Sequence, residues 1–367
     1  MNLRIPGPTP CPPDVLDAVG GQMINHRGPE FAALLERLSS GLQPFFQTRQ
    51  DVLLMTCSGT GGMEAAIVNT LSPGDRVLAV SIGAFGDRFA EIARLYGADV
   101  TVLEVEWGRA AEAEQVRAAL RAGSDYRAVL VTHNETSTGV TNPLKEISDV
   151  VHAESDALLL VDAVSSLGSI PLVTDAWGVD VAVTASQKGW LVPPGLAMLA
   201  FSDRAWEASE RATMPRFYLD ARMHRDFAAK GQTPTTPVLP VLYGLDAALA
   251  RMQQEGRDAI FERHARVAEH TRRGVKTLGL TLLAAEAVAS DTVTAVRVPE
   301  GVDGKALSRV LRQERGTVIA GGQGKLAGKI FRIGHLGWVD EPDIDRALDA
   351  LRATLPEVRS EEAVARA

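Results

Sequence analysis

The chain has 367 residues, of which 46% are hydrophobic and 23% charged, and a formal net charge of -8. That length admits two domains around large buried cores, and the acidic balance argues against nucleic acid or anionic membrane as a main partner. No stretch approaches the ~18 consecutive apolar residues of a membrane span. Prolines break the N-terminus, MNLRIPGPTPCPPDVL, where a secretory signal needs an apolar run. Cys11 and Cys57 are too far apart in sequence to suggest a disulfide framework or a cysteine metal site, and no metal is expected. The expected location is the cytoplasm.

The first chemical motif is LLMTCSGTGGMEAAIVNTL (53 to 71). An apolar strand runs into Ser58-Gly59-Thr60-Gly61-Gly62, and a helix is predicted from about Met63. Glycines let backbone N–H groups turn toward a ligand, and a helix N-terminus adds partial positive charge, so the turn suits a phosphate. A plain strand–helix connection is the alternative reading. The turn has neither the GK[ST] of a P-loop nor the G-x-G-x-x-G of dinucleotide binders.

A series of short apolar runs follows: RVLAV (76 to 80), ADVTVLEV (98 to 105), YRAVLVTH (126 to 133), ALLLVDAV (157 to 164), VDVAVTA (179 to 185) and GLAMLAFS (195 to 202). Helical patterns such as FAEIARLYG, AEQVRAALRAG and LKEISDVVHAES separate the earlier ones. This alternation predicts an α/β fold, with a parallel sheet covered on both faces. Ligands bind beyond the carboxyl ends of such strands, so the strand ends are the places to search.

SIGAFGDRF places Phe85 in a loop, where it can stack on a flat ring or merely cover core. THNETSTGV offers the Thr136 hydroxyl, with His133 read as structural. Asp162 ends the next strand, either as a turn-capping carboxylate or as the partner of a cationic ring nitrogen. Pyridoxal phosphate needs such a partner to act as an electron sink. Lys188 stands one strand further on. A lysine there can simply reach into water, or it can form a Schiff base with an aldehyde. A phosphate seat, a carboxylate and an amine on successive strand ends are three parts of one cofactor site.

After about residue 245 the rhythm changes. A long charged helix is predicted over roughly 246 to 278, then strand-like TLLAA and TVTAVRV, a helix GKALSRVLRQE, a glycine-rich turn and KIFRIGHLG. The expected organisation is an N-terminal segment (1–15), a large domain (16–255) and a smaller α+β domain (256–367). Arg332, in the last strand, can bind a carboxylate through both guanidinium nitrogens.

The order SGTGG-MEA, AFG, THNETSTGV, VDAVSSLG, TASQKGW, PRFYLD, TPTTP and FRIGHLG, preceded by IPGPTPCP and HRGPEF, resembles the class V aminotransferases of pyridoxal-phosphate fold type I. Within that family the likeness is to alanine–glyoxylate and serine–glyoxylate aminotransferases. The resemblance implies that pyridoxal 5'-phosphate is the cofactor, bound by Lys188 and faced at its ring nitrogen by Asp162. It implies that Thr60, Gly61 and Gln187 hold the phosphate, with Gly62 where some relatives carry a histidine beside the cofactor. Phe85, tryptophan in many relatives, stacks on the ring, Val164 packs under it, and Thr136 approaches its phenolic oxygen. Thr235, in TPTTP, reaches the phosphate of a neighbouring subunit, which implies a homodimer, and Arg332 grips the substrate carboxylate. Gln232 stands where some relatives carry tyrosine, and His335 has no assigned role.

The implied reaction moves an amino group from alanine or serine to glyoxylate or pyruvate, since no second arginine is evident for an acidic side chain. Alternatives are a lyase or desulfurase of the same fold, or a non-catalytic binding subunit that retains it. A nicotinamide dehydrogenase lacks its glycine fingerprint.

Overall fold

The computed structural model describes residues 1–123 and 125–358. Strands Ala128–Thr132, Leu158–Asp162, Val181–Ala185 and Ala197–Phe201 are buried along their full length. They belong to a seven-stranded sheet ordered Val52–Met55, Ala197–Phe201, Val181–Ala185, Leu158–Asp162, Ala128–Thr132, Arg76–Ser81, Asp99–Glu104. Pairing is parallel except for Ala197–Phe201, which runs antiparallel to both neighbours. Alternate side chains feed two cores. Val129, Val131, Leu159 and Val161 point to one, and Leu130, Leu158, Leu160 and Val183 to the other. Asp99–Glu104 is the sheet edge, and its solvent-side residues are exposed.

The second sheet has four strands, in the order Asn2–Arg4, Thr317–Gly321, Ile330–Gly334, Val293–Arg297. Asn2–Arg4 pairs in parallel with Thr317–Ile319, so the N-terminal residues are an edge strand of the C-terminal sheet. TLLAA makes a single bridge, Leu282 to Val296, in place of the expected strand. The long charged helix is two helices, Leu239–Glu255 and Arg257–Thr277. Gly256 separates them at φ +88°, a left-handed conformation that ends the first helix and that a side chain would strain. Among the described residues no helix is long and apolar enough to cross a membrane.

Two features of this frame set the site. Thr132 and Asp162 end adjacent parallel strands at one level, beside Val183 in the middle of the next strand, which runs on to Ala185. From Arg4 the chain passes Gly334, where a side chain would collide with the backbone of Ile5, and continues to the turn that carries Lys188.

Candidate active site

The turn after Val181–Ala185 is fixed from both sides. Ser186 Oγ donates to the Pro193 carbonyl (2.8 Å) and accepts from the Leu196 N–H (3.2 Å). Fully buried Trp190 donates to Thr184 Oγ1 (2.9 Å) and packs on Phe45 and Phe46. The turn therefore directs Lys188 inward, leaving it 9% exposed. Its ammonium donates to the Pro6 carbonyl at 2.6 Å. Gly7 lies against the stem at φ +124°, and a Cβ there would sit 2.7 Å from Lys188 Cδ. Thr9 fastens the segment through its N–H to the Gln187 carbonyl (3.1 Å) and its hydroxyl to the Lys188 carbonyl (3.0 Å). Burial lowers the Lys188 pKa to about 8; the Asp162 carboxylate opposes this, and Arg332 and Arg88 add to it. The bland reading of a lysine reaching into water does not describe this amine.

Asp162 is 3% exposed. Burial pushes its pKa up to about 6, against the Val164 N–H donated to Oδ1 (3.0 Å), the charges of Lys188 and Arg88, and the Thr132 hydroxyl at 3.5 Å from Oδ2. The turn-capping bond exists, but it uses one oxygen only. His133 is buried against the edge of Trp177, and burial lowers its pKa to about 4, so it is a neutral structural residue.

Two residues that sequence reasoning passed over hold the aromatic edge. Glu135 is fully buried, and its Oε2 accepts the N–H groups of Phe85 (3.0 Å) and Gly86 (3.1 Å) while Oε1 accepts from Ser137. Ser137 Oγ in turn accepts the Ala84 N–H (2.9 Å). The Ala84–Leu95 helix is thus capped from another strand, and Phe85 is set by that cap; burial raises the Glu135 pKa, against the hydrogen bonds from Ser137 and Gly86. Arg88, one helical turn after Phe85, lies over the Phe85 ring (4.7 Å to the centroid) and reaches the Thr60 hydroxyl (3.4 Å). Its i+3 spacing from Phe85 was the available signal. Arg88 thus borders the site from the Thr60 side.

The Ser58 turn leads directly into the Gly59–Thr70 helix, four residues earlier than predicted, and Ser58 makes no side-chain cap. The first helical bond runs from the Gly62 N–H to the Ser58 carbonyl (3.1 Å). Among the described residues, the N–H groups of Gly59, Thr60 and Gly61 have no partner, and buried Gln187 Oε1 is likewise unpartnered. Gly59 lets the helix approach Val164, where a Cβ would come within 2.7 Å of Cγ2. Gly62 departs from its expected place beside a cofactor. Its N–H is taken, and a Cβ would point into Val183 and Ala197 of the sheet.

Arg332 is 5% exposed and spans the two sheets. It donates to the Gly321 carbonyl from Nε (3.0 Å) and Nη2 (2.8 Å), and from Nη1 to the Thr136 carbonyl (3.1 Å) and weakly to Gln323 Oε1 (3.5 Å). No carboxylate lies within 4.0 Å of it among the described residues, and burial lowers its pKa to about 10 despite the Glu135 charge. The Thr136 hydroxyl donates to Ser165 Oγ (2.9 Å). His335 is buried beside Thr294 Oγ1 (2.8 Å), neutral with its pKa lowered to about 3, and belongs to the small-sheet core. Gln232 accepts from Arg27 (2.8 Å). Half-buried Thr235 accepts a bond from Thr233 at its carbonyl and makes none to the cluster around Lys188. A surface cleft of about 1380 Å³, lined by Arg4, Arg263, Trp338 and Asp343 among others, contains none of the strand-end residues described above.

The profile of the family described as Aminotransferase class-V matches residues 2–333. The "Soluble hydrogenase, small subunit" of Synechococcus sp. is 44% identical over 97% of this chain and 93% of its own. The L-aspartate–glyoxylate aminotransferase of Paracoccus denitrificans is 42% identical over 91% and 86%. The crystal structure of an alanine–glyoxylate aminotransferase from Nostoc sp. superposes with a TM-score of 0.93 at 35% identity, covering 96% of this chain and 94% of that one.

Proposed function

Because the chain belongs to the class-V aminotransferase family, we propose that the cleft between Lys188, Asp162 and Arg332 transfers an amino group from a small donor, alanine or serine, to glyoxylate or pyruvate. One observation carries this reading. Asp162 and Lys188 are buried at the ends of neighbouring strands and Arg332 is buried on the second sheet, and among the described residues none has an ion-pair partner within 4.0 Å. A fold tolerates that desolvation where a ligand supplies the missing partners.

The enzyme is pyridoxal-phosphate dependent, and the site fits that group. Unpartnered N–H groups at Gly59 to Gly61 mark a donor-lined seat, which we assign to the phosphate with the Thr60 hydroxyl, Gln187 reaching it through its amide N–H group. We assign Phe85 and Val164 to the two faces of the cofactor ring and Thr136 to its edge. When bound, the cofactor supplies an aldehyde and a conjugated pyridinium ring that accepts an electron pair from the substrate's α-carbon. Lys188, partly neutral near pH 8, would hold the cofactor through its aldehyde carbon, and as a free amine would hold and move the α-carbon proton at Nζ. The Asp162 carboxylate holds a proton on the ring nitrogen. Arg332 orients the α-carboxylate of donor and acceptor alike, exchanging its bonds to backbone carbonyls for bonds to substrate. The Ile5–Thr9 segment excludes water from the amine.

A desulfurase needs a reactive thiolate. Burial pushes the Cys57 thiol up to about 11 and raises Cys11 as well, so neither supplies one. The assembly we propose is a cytoplasmic homodimer, in which Thr235 of one protomer completes its partner's phosphate site. Supporting it, exposed Tyr218 (next to exposed Phe217) and Val238 at the end of the TPTTP turn both bond Thr56, which sets that turn beside an apolar patch. The reading is tested by borohydride reduction and peptide mapping, followed by a donor-by-acceptor screen that includes aspartate. Cofactor fixed to a residue other than Lys188, or no turnover with any donor–glyoxylate pair, would refute it.

A further inference from the structure

We propose that Arg88 is the cationic anchor of the phosphate seat, a role that rests on assigning the phosphate to the Ser58–Gly61 turn. Each other charge at the site has a different task in the reading above. Lys188 meets the aldehyde, Asp162 the ring nitrogen and Arg332 the substrate carboxylate. The phosphate brings up to two negative charges, and a helix N-terminus supplies only about half a positive charge.

Arg88 is the remaining cation. Its guanidinium touches the Thr60 hydroxyl, a wall of the seat, at 3.4 Å. It lies over Phe85 at 4.7 Å, so the ring that faces the cofactor also fixes the arginine's approach. No carboxylate competes for it within 4.0 Å among the described residues. Its sequence neighbour Asp87 is engaged by Ser81 Oγ at 2.5 Å. The charge of Arg88 is felt at Asp162 and Lys188, which places it inside the site's field. Its contact with the Thr60 hydroxyl puts Arg88 at the Thr60 end of the site.

The test uses the whole chain after removal of its cofactor. Wild type, Arg88→Gln and Arg88→Lys are titrated with pyridoxal 5'-phosphate and with pyridoxal, following visible absorbance and tryptophan fluorescence. Inorganic phosphate is added as a competing probe, and thermal melting checks that each variant is folded. Loss of one charge-assisted contact should weaken pyridoxal 5'-phosphate by ~10-fold or more in Arg88→Gln. Pyridoxal affinity should be unchanged, competition by inorganic phosphate should fall, and Arg88→Lys should recover part of the loss. Equal weakening of both ligands would mean that Arg88 acts through Phe85 and would overturn the proposal. So would unchanged cofactor affinity with a KM increase confined to acidic donors. If inorganic phosphate fails to compete in wild type, and Thr60→Ala leaves cofactor affinity intact, the seat itself is misassigned and the role of Arg88 falls with it. Normal competition in both wild type and Arg88→Gln would refute Arg88 alone.

Discussion

Replacing Asp162 with Asn should stabilise the cofactor-free protein while disabling the enzyme. Asn keeps the shape and the Oδ1 bond to the Val164 N–H, and its amide can still meet Thr132. What it removes is a buried negative charge. Burial raises the Asp162 pKa from 3.8 to about 6, so the folded protein resists ionising a group that the unfolded chain ionises freely. The resulting cost is absent below about pH 4, grows as pH rises through the folded pKa, and is constant above it. Roughly two pKa units at about 1.4 kcal/mol each give about 3 kcal/mol. Urea denaturation of both proteins without cofactor should therefore show the Asn variant more stable by up to that amount at pH 8, with the gap closing near pH 4. In the cofactor-loaded enzyme, kcat should fall by ~10²-fold or more, because the carboxylate acts on charge that develops in the transition state. If Asp162→Asn is less stable at pH 8, the buried carboxylate charge is compensated within the fold and the argument from burial fails; near-normal turnover would refute its role at the ring nitrogen.

Other expectations follow from the same geometry. Only the neutral Lys188 amine attacks an aldehyde, so recombination with cofactor should accelerate about tenfold per pH unit up to about 8 and then level off; a rate that keeps rising tenfold per unit well above pH 8 would contradict the lowered pKa. Asp162→Asn should move that midpoint down, since the carboxylate favours the protonated amine. Arg332→Lys keeps charge but loses the fork, and should cut kcat/KM for donor and acceptor by ~10²-fold, about 2.7 kcal/mol; stopped-flow rates unchanged in both half-reactions would remove Arg332 from the substrate site. Sedimentation should show a dimer whose dissociation weakens cofactor binding, and a fully active monomer at micromolar concentration would defeat the shared site.

The sequence by itself located the strand ends at which Asp162 and Lys188 stand. Buried runs at regular spacing placed Asp162 and Lys188 correctly, because burial on both faces imposes a composition that is visible within a few residues. The same local logic located the Ser58 turn and the strand of Arg332. It failed where one glycine conformation outweighed helix periodicity, at Gly256, and where small residues face the sheet, at Gly62.

What the tertiary structure alone decided is how these ends are joined. Glu135 holds Phe85 across 50 residues, and the Pro6 carbonyl holds Lys188 across 182. Arg88 meets Thr60 only because two helices pack side by side. Such contacts have no period and no spacing rule. Hydrogen bonds of buried polar groups are completed by whatever the fold brings near, and a single charged residue gives no local sign of its distant partner. The amine's lowered pKa, the buried charges without ion-pair partners and the arginine beside Thr60 all arise at that level, from burial and packing that neither composition nor pattern encodes residue by residue.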